Sequence, residues 1–391
     1  MSGPDSNTLS ATARRPLLVF VGGGSGGHIF PALAIDEEVT RLCGSAGPPH
    51  SLFVVSDRAI DEKIMSPTGL RFERSPARPL IARPMGLVRF ARGWSAAKKQ
   101  ARAILTGREW SARSGVHVVA MGGFVAGPFV SAATSLGASV TMVNLDAIPG
   151  KANAYIARRA DRIFTAARVP AEHRAGREWN EVPPIVRGAA RVSRPRAECR
   201  AALSLDPSRP VLMVTGGSQG LRSLNNFVGA FGASPAGQRT LREHRWQVLH
   251  QTGRNLDDAP RAAYQAAGID ATVVPFTDQM GLWWGAADVA VCTAGAGNIA
   301  EIWMNTVPAL LLPYPHHKDE HQKYNALPLT EAGGALLGKD WIDPQRNLAH
   351  NAGLLESLLA EEPRRAALRA NLEKLGPADG AARIARALLD G

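Results

Sequence analysis

The chain has 391 residues, with 45 Lys+Arg against 34 Asp+Glu and a formal charge of +11. With 45% hydrophobic and 20% charged residues it can bury cores for two domains, which excludes collagen, mini-protein, solenoid and wholly disordered readings. The distant Cys43, Cys199 and Cys292, with no CxxC spacing, exclude a disulfide framework and a zinc knuckle, while the charge favours anionic partners without choosing among them.

Residues 1–15 are small and polar and read as a flexible tail without an apolar leader. Pro16 to Val21 then reads as a short strand that runs into Gly22-Gly23-Gly24-Ser25-Gly26-Gly27-His28, and Ser51 to Val55 reads as a second strand. A helix is expected between 85 and 106. Leu87, Phe90, Trp94, Ala97, Ala101 and Ile104 recur there every three or four residues, with Arg89, Arg92, Lys98, Lys99 and Arg102 largely opposite. Two readings stay open for it: a stripe packed on the chain's own sheet, or a basic amphipathic helix resting on an anionic bilayer. No run is long enough to cross a bilayer.

Val116 to Ala120 leads into Gly122-Gly123-Phe124-Val125-Ala126-Gly127, and Ser139 to Val143 into Asn144 to Gly150. Between 181 and 200, Pro183, Pro184 and Pro195 stand among Arg187, Arg191, Arg194 and Arg196, which interrupts regular structure and places a domain boundary near 188. The pattern then restarts. Pro210 to Val214 enters Gly216-Gly217-Ser218-Gln219-Gly220, followed by apolar runs at Trp246 to Gln251, Ala271 to Pro275, Asp288 to Cys292 and Ala309 to Leu312.

Runs of four to six Val- and Leu-rich residues separated by helix-sized segments are expected of parallel strands covered on both faces. The expected fold is α/β, with two Rossmann-like domains over 16–188 and 189–391, parallel sheets facing a cleft, and a last helix able to pack back on the first domain. Four glycine turns stand where strands end, and Gly295-Ala296-Gly297-Asn298 is the fourth. Glycine there lets backbone N–H groups approach a phosphate beside the positive end of a helix. Gly22, Gly24 and Gly27 satisfy GxGxxG formally, yet no acidic residue is evident about 20 positions on, and no Lys-Ser or Lys-Thr makes a Walker loop.

In order, residues 22–35, 121–128, 216–220, 250–253, 275–280 and the block 295–326 (GAGNIAEIWMNTVPALLLPYPHHKDEHQKYNA) resemble the MurG family of glycosyltransferases. The resemblance implies a B-type glycosyltransferase fold and inverting transfer of N-acetylglucosamine from UDP-N-acetylglucosamine to lipid I, giving lipid II for peptidoglycan. It implies no cofactor and no metal, and a peripheral enzyme on the cytoplasmic face of the membrane whose partners are the UDP-sugar, the lipid-linked muramoyl-pentapeptide and an anionic membrane surface, with no nucleic acid.

The resemblance also assigns residues. In the second domain it places Glu301 on the uridine ribose, Phe276 as a cap on the uracil, Thr277 as a backbone partner of the base edge and Met280 in its apolar wall. Ser218, Gln219 and Gly220 surround the diphosphate, and Arg187 adds positive charge. Ala296, Gly297, Asn298, Ile299 and Ala300 form the helix start beside the ligand, and His321 and Gln322, with Asp319 and Asn325 near them, face the sugar. In the first domain, Ser25, Gly26 and Gly27 face the acceptor, Asp146 lies on the acceptor-side loop and His28 is the candidate base.

Departures concentrate on that loop. The family often reads His-Glu-Gln-Asn before the shared Ala147, Pro149 and Gly150, so Asn144 stands for its Glu and Asp146 for its Asn. Thr293 replaces a common Arg, and His321 the first of two glutamines. These changes keep a second acceptor open as an alternative within the same fold. The readings from other classes are a nicotinamide-dependent oxidoreductase using the formal GxGxxG, in which the 295–326 block has no place, and a nucleic-acid binder, for which no recognition helix or aromatic-basic motif is evident.

Overall fold

The computed structural model describes residues 16–24, 26–44, 47–107, 115–217, 219–316 and 319–390. The tail expected at 1–15 lies outside them. The chain forms two compact units, one of residues 1–187 with 379–391 and one of 188–378.

The first unit is built on a seven-stranded sheet in the order β3-β2-β1-β4-β5-β6-β7. Its strands are β1 (Leu17–Gly22), β2 (Ser51–Ser56), β3 (Phe72–Ser75), β4 (Val116–Gly122), β5 (Ser139–Asn144), β6 (Arg162–Thr165) and β7 (Asn180–Glu181). Its helices are α1 (Gly26–Cys43), α2 (Ala59–Met65), α3 (Pro84–Leu105), α4 (Gly123–Ser135) and α5 (Lys151–Ala157). Every pairing is parallel, so a crossover must link the strands and helices cover both faces. β1 shows the consequence. All six of its residues are buried; Leu17, Val19 and Val21 enter one core while Leu18 and Phe20 enter the other, as a period of two demands.

The second unit carries a six-stranded sheet in the order β10-β9-β8-β11-β12-β13. Its strands are β8 (Val211–Thr215), β9 (Gln247–Gln251), β10 (Ala271–Val274), β11 (Val289–Cys292), β12 (Ala309–Leu311) and β13 (Ala335–Leu337). The helices are α6 (Arg196–Ala202), α7 (Arg222–Ala233), α8 (Pro235–Glu243), α9 (Asp258–Ala267), α10 (Met280–Ala286), α11 (Ala296–Asn305), α12 (His321–Glu331), α13 (Pro344–Ala360) and α14 (Glu362–Glu373). This sheet is also wholly parallel and has a core on each face.

The final helix, α15 (Gly380–Leu389), belongs to the first unit and packs on α1. Ile384, Ala385 and Leu388 join the α1 core, and Arg162 Nη1 donates to the Ala387 carbonyl at 2.7 Å. A Cβ at Gly380 would collide with the Pro183 carbonyl oxygen, so glycine permits the close approach. No helix among the described residues is long and apolar enough to cross a membrane.

Candidate active site

The first glycine loop is held from the β2–α2 side. β1 and β4 lose register between Val21 and Gly22, and the chain leaves the sheet with Gly24 at φ +94°, a conformation that favours glycine. Both backbone groups of Gly24 are taken: its N–H donates to Asp61 Oδ2 at 2.7 Å, and its carbonyl accepts from Arg58 Nη1 at 2.8 Å. Asp61 is fully buried, and the same oxygen accepts from Ser56 N at 3.0 Å and Ser56 Oγ at 2.6 Å. Ser25 lies outside the described residues. Gly26 and Gly27 begin α1, where Gly26 is buried against the Phe30 ring and Gly27 is exposed.

His28 follows in the first turn. Its ring stands against the end of β4, where a Cβ at Gly123 would lie 3.1 Å from Cδ2, and Nδ1 is buried with no hydrogen-bond partner among the described residues. Burial holds the imidazole below its ordinary pKa; Asp146, the Met121 backbone and Asp61 push the other way, in that order. The ring is therefore neutral near pH 7, the state in which it can accept a proton.

The departures at 144–146 have a structural reading. Asn144 is fully buried, where its Nδ2 donates to the Asp146 carbonyl at 2.7 Å and to Thr165 Oγ1 at 3.1 Å, and its Oδ1 accepts from Asn153 Nδ2 at 2.9 Å. Both sides of the amide are thus committed inside the unit. The carboxylate two residues on, Asp146, is half-buried and leads the groups that favour the protonated form of His28. Arg187 is placed on this unit, its guanidinium 3.7 Å from the centroid of the Phe30 ring of α1.

The amphipathic segment forms α3, and its stripe divides. Gly93, Ala97, Ala101 and Ile104 are buried, and Trp94 packs edge-on to Tyr155 with centroids 5.5 Å apart and on Phe90 at 5.6 Å. Leu87, expected on the same stripe, is exposed. It lies with Leu80, Ile81, Met85 and Val88 in a set of apolar side chains 45% to 65% exposed, next to the exposed Arg83, Arg89 and Arg92.

In the second unit the predicted donor residues stand at the carboxyl ends of the strands. After β8, Gly217 has φ +79° and Gly220 φ +70°. Ser218 lies outside the described residues, and Gln219 is exposed. A Cβ at Gly220 would collide with the Thr252 carbonyl oxygen, so this loop lies directly on the turn after β9. That turn is held from below. Asn225 Nδ2 donates to the Thr252 carbonyl at 3.0 Å, while Asn225 Oδ1 and the Tyr264 hydroxyl each lie 3.0 Å from a ring nitrogen of the buried His250. Burial lowers His250 to about 3, so the ring is neutral, donating through Nε2 to Asn225 and accepting from Tyr264 at Nδ1.

Gln251 ties two donor loops together. Its Nε2 donates to the Gly217 carbonyl at 3.1 Å, and its Oε1 accepts from Thr277 N at 3.1 Å. The Thr277 amide expected at the base edge is therefore engaged by Gln251 here, which leaves its carbonyl. Phe276 is 44% exposed beside it, whereas Met280 begins α10 partly packed on the core.

α11 brings the remaining residues to one place. Ala296 and Gly297 form its open first turn, but Asn298 is buried with Nδ2 donating to the Thr293 carbonyl and hydroxyl at 3.0 Å each, and Ile299 and Ala300 are buried. Asn298, Ile299 and Ala300 thus direct their side chains inward, and only their backbone is available to a ligand. Glu301 is half-buried, with Oε2 accepting from the indole nitrogen of the buried Trp284 at 2.6 Å. Gln322, in the first turn of α12, accepts from Tyr314 N at 2.9 Å, and its amide nitrogen would lie 3.9 Å from a Cβ at Gly295, so its NH₂ stands beside the α11 start. His321 Nδ1 lies 2.8 Å from Asp319 Oδ1, and Asn325 is buried below.

Family models cover most of the chain: the glycosyltransferase family 28 N-terminal domain matches residues 18–165, and the family 28 C-terminal domain matches 211–369. The chain belongs to glycosyltransferase family 28. A relative from Nocardioides sp. is 32% identical over 383 residues, covering 95% of this chain and 97% of its own. Another, from Thiobacillus denitrificans, is 34% identical over 392 residues, covering 96% and 98%. Both carry the name UDP-N-acetylglucosamine-N-acetylmuramyl-(pentapeptide) pyrophosphoryl-undecaprenol N-acetylglucosamine transferase. Among solved structures, Acinetobacter baumannii MurG aligns with a TM-score of 0.67 at 20% identity, over 96% of this chain and all of that one. A Polygonum tinctorium UDP-glucosyltransferase aligns at 0.68 and 15%, over 97% and 98%. Both show the same fold, two parallel-sheet domains of the B-type glycosyltransferase architecture.

Within this family 28 enzyme, the N-terminal match holds His28 and Asp146 and the C-terminal match holds the second-unit candidates, while Arg187 lies between the two. Four supporting residues escaped the sequence reading. Gln251 and His250 sat in the quoted HQTG segment without a role. Trp284 gave no signal, since only the packing of α10 beside α11 brings its indole to Glu301. Asp61 lies some thirty residues beyond the loop it holds.

Proposed function

We propose that this family 28 glycosyltransferase moves N-acetylglucosamine from UDP-N-acetylglucosamine to lipid I with inversion, forming lipid II. One observation carries the reading: Glu301, fixed by Trp284, stands on the helix whose open first turn faces Gln322. That set offers a carboxylate for vicinal ribose hydroxyls and helix N–H groups for phosphate. The names of relatives that match nearly the whole chain supply the donor and acceptor.

In the reaction, an acceptor hydroxyl gives its proton to neutral His28 and its oxygen bonds to the anomeric carbon. The bond from that carbon to the diphosphate oxygen breaks on the opposite face, and UDP leaves with the electron pair. The first unit presents the acceptor, with Gly26, Gly27 and Asp146 near it. In the second, Gln219, Gly220 and the start of α11 steady the diphosphate, an electrostatic contribution that is often the largest in such transfers. His321 and Gln322 hold the sugar, Phe276 covers the uracil, and Arg187 adds positive charge. The test is transfer from labelled UDP-N-acetylglucosamine to synthetic lipid I. Labelled lipid II is the expected product; robust turnover only on a different acceptor would move the enzyme to another branch of the same fold.

The acceptor's lipid calls for contact with the cytoplasmic face of the membrane, and the exposed apolar set at 80–88 with Arg83, Arg89 and Arg92 suits it. Binding to vesicles should rise with phosphatidylglycerol content and fall several-fold in Met85→Ser/Leu87→Ser. Binding that stays flat across lipid compositions removes this contact from the account.

A further inference from the structure

The second unit carries an open cavity of about 500 Å³ that no step of the transfer uses, within the range of about 300–1,000 Å³ usual for small-molecule sites. Its walls come from the chain just after it enters the unit at 188, from Trp284 on α10 and from the end of α11. Two arginines, Arg191 and Arg196, and no carboxylate line it. Arg191 is exposed, and its guanidinium makes no hydrogen bond or ion pair among the described residues. Arg196 is only partly neutralised: its Nη1 donates to Asp288 Oδ1 at 2.8 Å, while the other oxygen of that carboxylate serves Arg200. Beside these cations stand the apolar Val192 and Met304 and the hydroxyl of Thr306, which has no hydrogen-bond partner among the described residues.

The same walls reach the donor residues by two routes. Trp284 lines the cavity, and its indole nitrogen holds Glu301 Oε2 at 2.6 Å. Asn305, one turn beyond Glu301 on α11, donates from Nδ2 to the Glu301 and Ala190 carbonyls at 3.0 Å each and accepts from Val192 N at 2.9 Å. The segment that carries Arg191 is thereby tied to the helix turn that carries Glu301.

We infer that this cavity binds a phosphate monoester with an apolar body, and that its occupant tightens UDP by steadying Trp284 and, through it, Glu301. Guanidinium groups match phosphate oxygens in a planar fork, which suits Arg191 and Arg196 to the anionic end, and Val192 and Met304 cover the apolar one. The effect on UDP rests on the reading of Glu301 as the ribose residue; binding to the cavity does not. By linkage, UDP and the occupant must strengthen one another by the same factor.

Calorimetric titration of phenyl phosphate into the full chain saturated with UDP, which keeps it off the diphosphate site, tests the cavity. Binding should weaken about tenfold or more in Arg191→Ala and further in Arg191→Glu, both with melting temperatures near wild type because the exposed side chain has no partner to lose. Inorganic phosphate, lacking the apolar body, should bind more weakly than phenyl phosphate. Dihexanoyl phosphatidic acid tells the sources apart: binding tighter than phenyl phosphate marks a lipid headgroup as the occupant, and weaker binding a soluble ester. UDP should bind the wild type about fivefold tighter with phenyl phosphate present, and that gain should vanish in Trp284→Phe. No binding of phenyl phosphate beside UDP, equal binding by wild type and Arg191→Glu, inorganic phosphate as tight as the ester, or a UDP affinity left unchanged or lowered would each overturn the proposal. If the wild type does not bind UDP at all, the donor reading fails, and the Arg191 comparison without UDP still decides the cavity.

Discussion

Replacing His28 by alanine should lower kcat by about 10²- to 10⁴-fold, the usual contribution of a positioned general base, while leaving affinity for UDP within about twofold. The two readouts separate because His28 belongs to the first unit and every residue assigned to the uridine belongs to the second, apart from Arg187. Stability should change little or rise. Among the described residues Nδ1 of the wild-type ring is buried without a hydrogen-bond partner, and deleting such a group removes a desolvation cost of about 1–3 kcal/mol that offsets the lost packing. A melting temperature near wild type together with lost turnover would therefore mark a group retained for chemistry. Steady-state kinetics at saturating donor and acceptor, beside calorimetry with UDP, make the comparison. Turnover near the wild-type rate would return His28 to a packing role.

The fold was legible where strands are buried on both faces, since β1, β8 and β11 read as unbroken apolar runs. β3, β6, β7 and β13 were not read as strands. They are four residues or fewer, and sequences such as Phe-Glu-Arg-Ser in β3 carry no apolar run. The glycine turns were visible because their neighbours approach so closely that no Cβ fits at 220 or 253. What the sequence could not show was how the turns are supported. Gln251 reaches loops from β8 and β10, Trp284 reaches Glu301 across two helices, and Asp61 reaches Gly24, each through contacts set by sheet order rather than local pattern. The stripe on α3 shows a different limit. Periodicity found the helix and its inner face correctly at 97, 101 and 104, but could not tell that the first turn runs past the core and leaves Leu87 outside.

The second large effect concerns Glu301. Its carboxylate is held by the Trp284 indole through one oxygen, so Glu301→Ala would also strand a buried donor and confound affinity with stability. Glu301→Gln keeps an acceptor for the indole and removes the charge. Losing the charge-assisted bonds to a ribose costs about 1.5–3 kcal/mol, or roughly 10- to 100-fold in Kd. Trp284→Phe, which removes the indole donor, should weaken UDP by a smaller factor by loosening the Glu301 side chain.

Calorimetric titration of UDP into the wild type and Glu301→Gln, at matched melting temperatures, is the direct measurement. The account predicts a wild-type isotherm that weakens at least tenfold in the variant; equal affinity in the two proteins would contradict it.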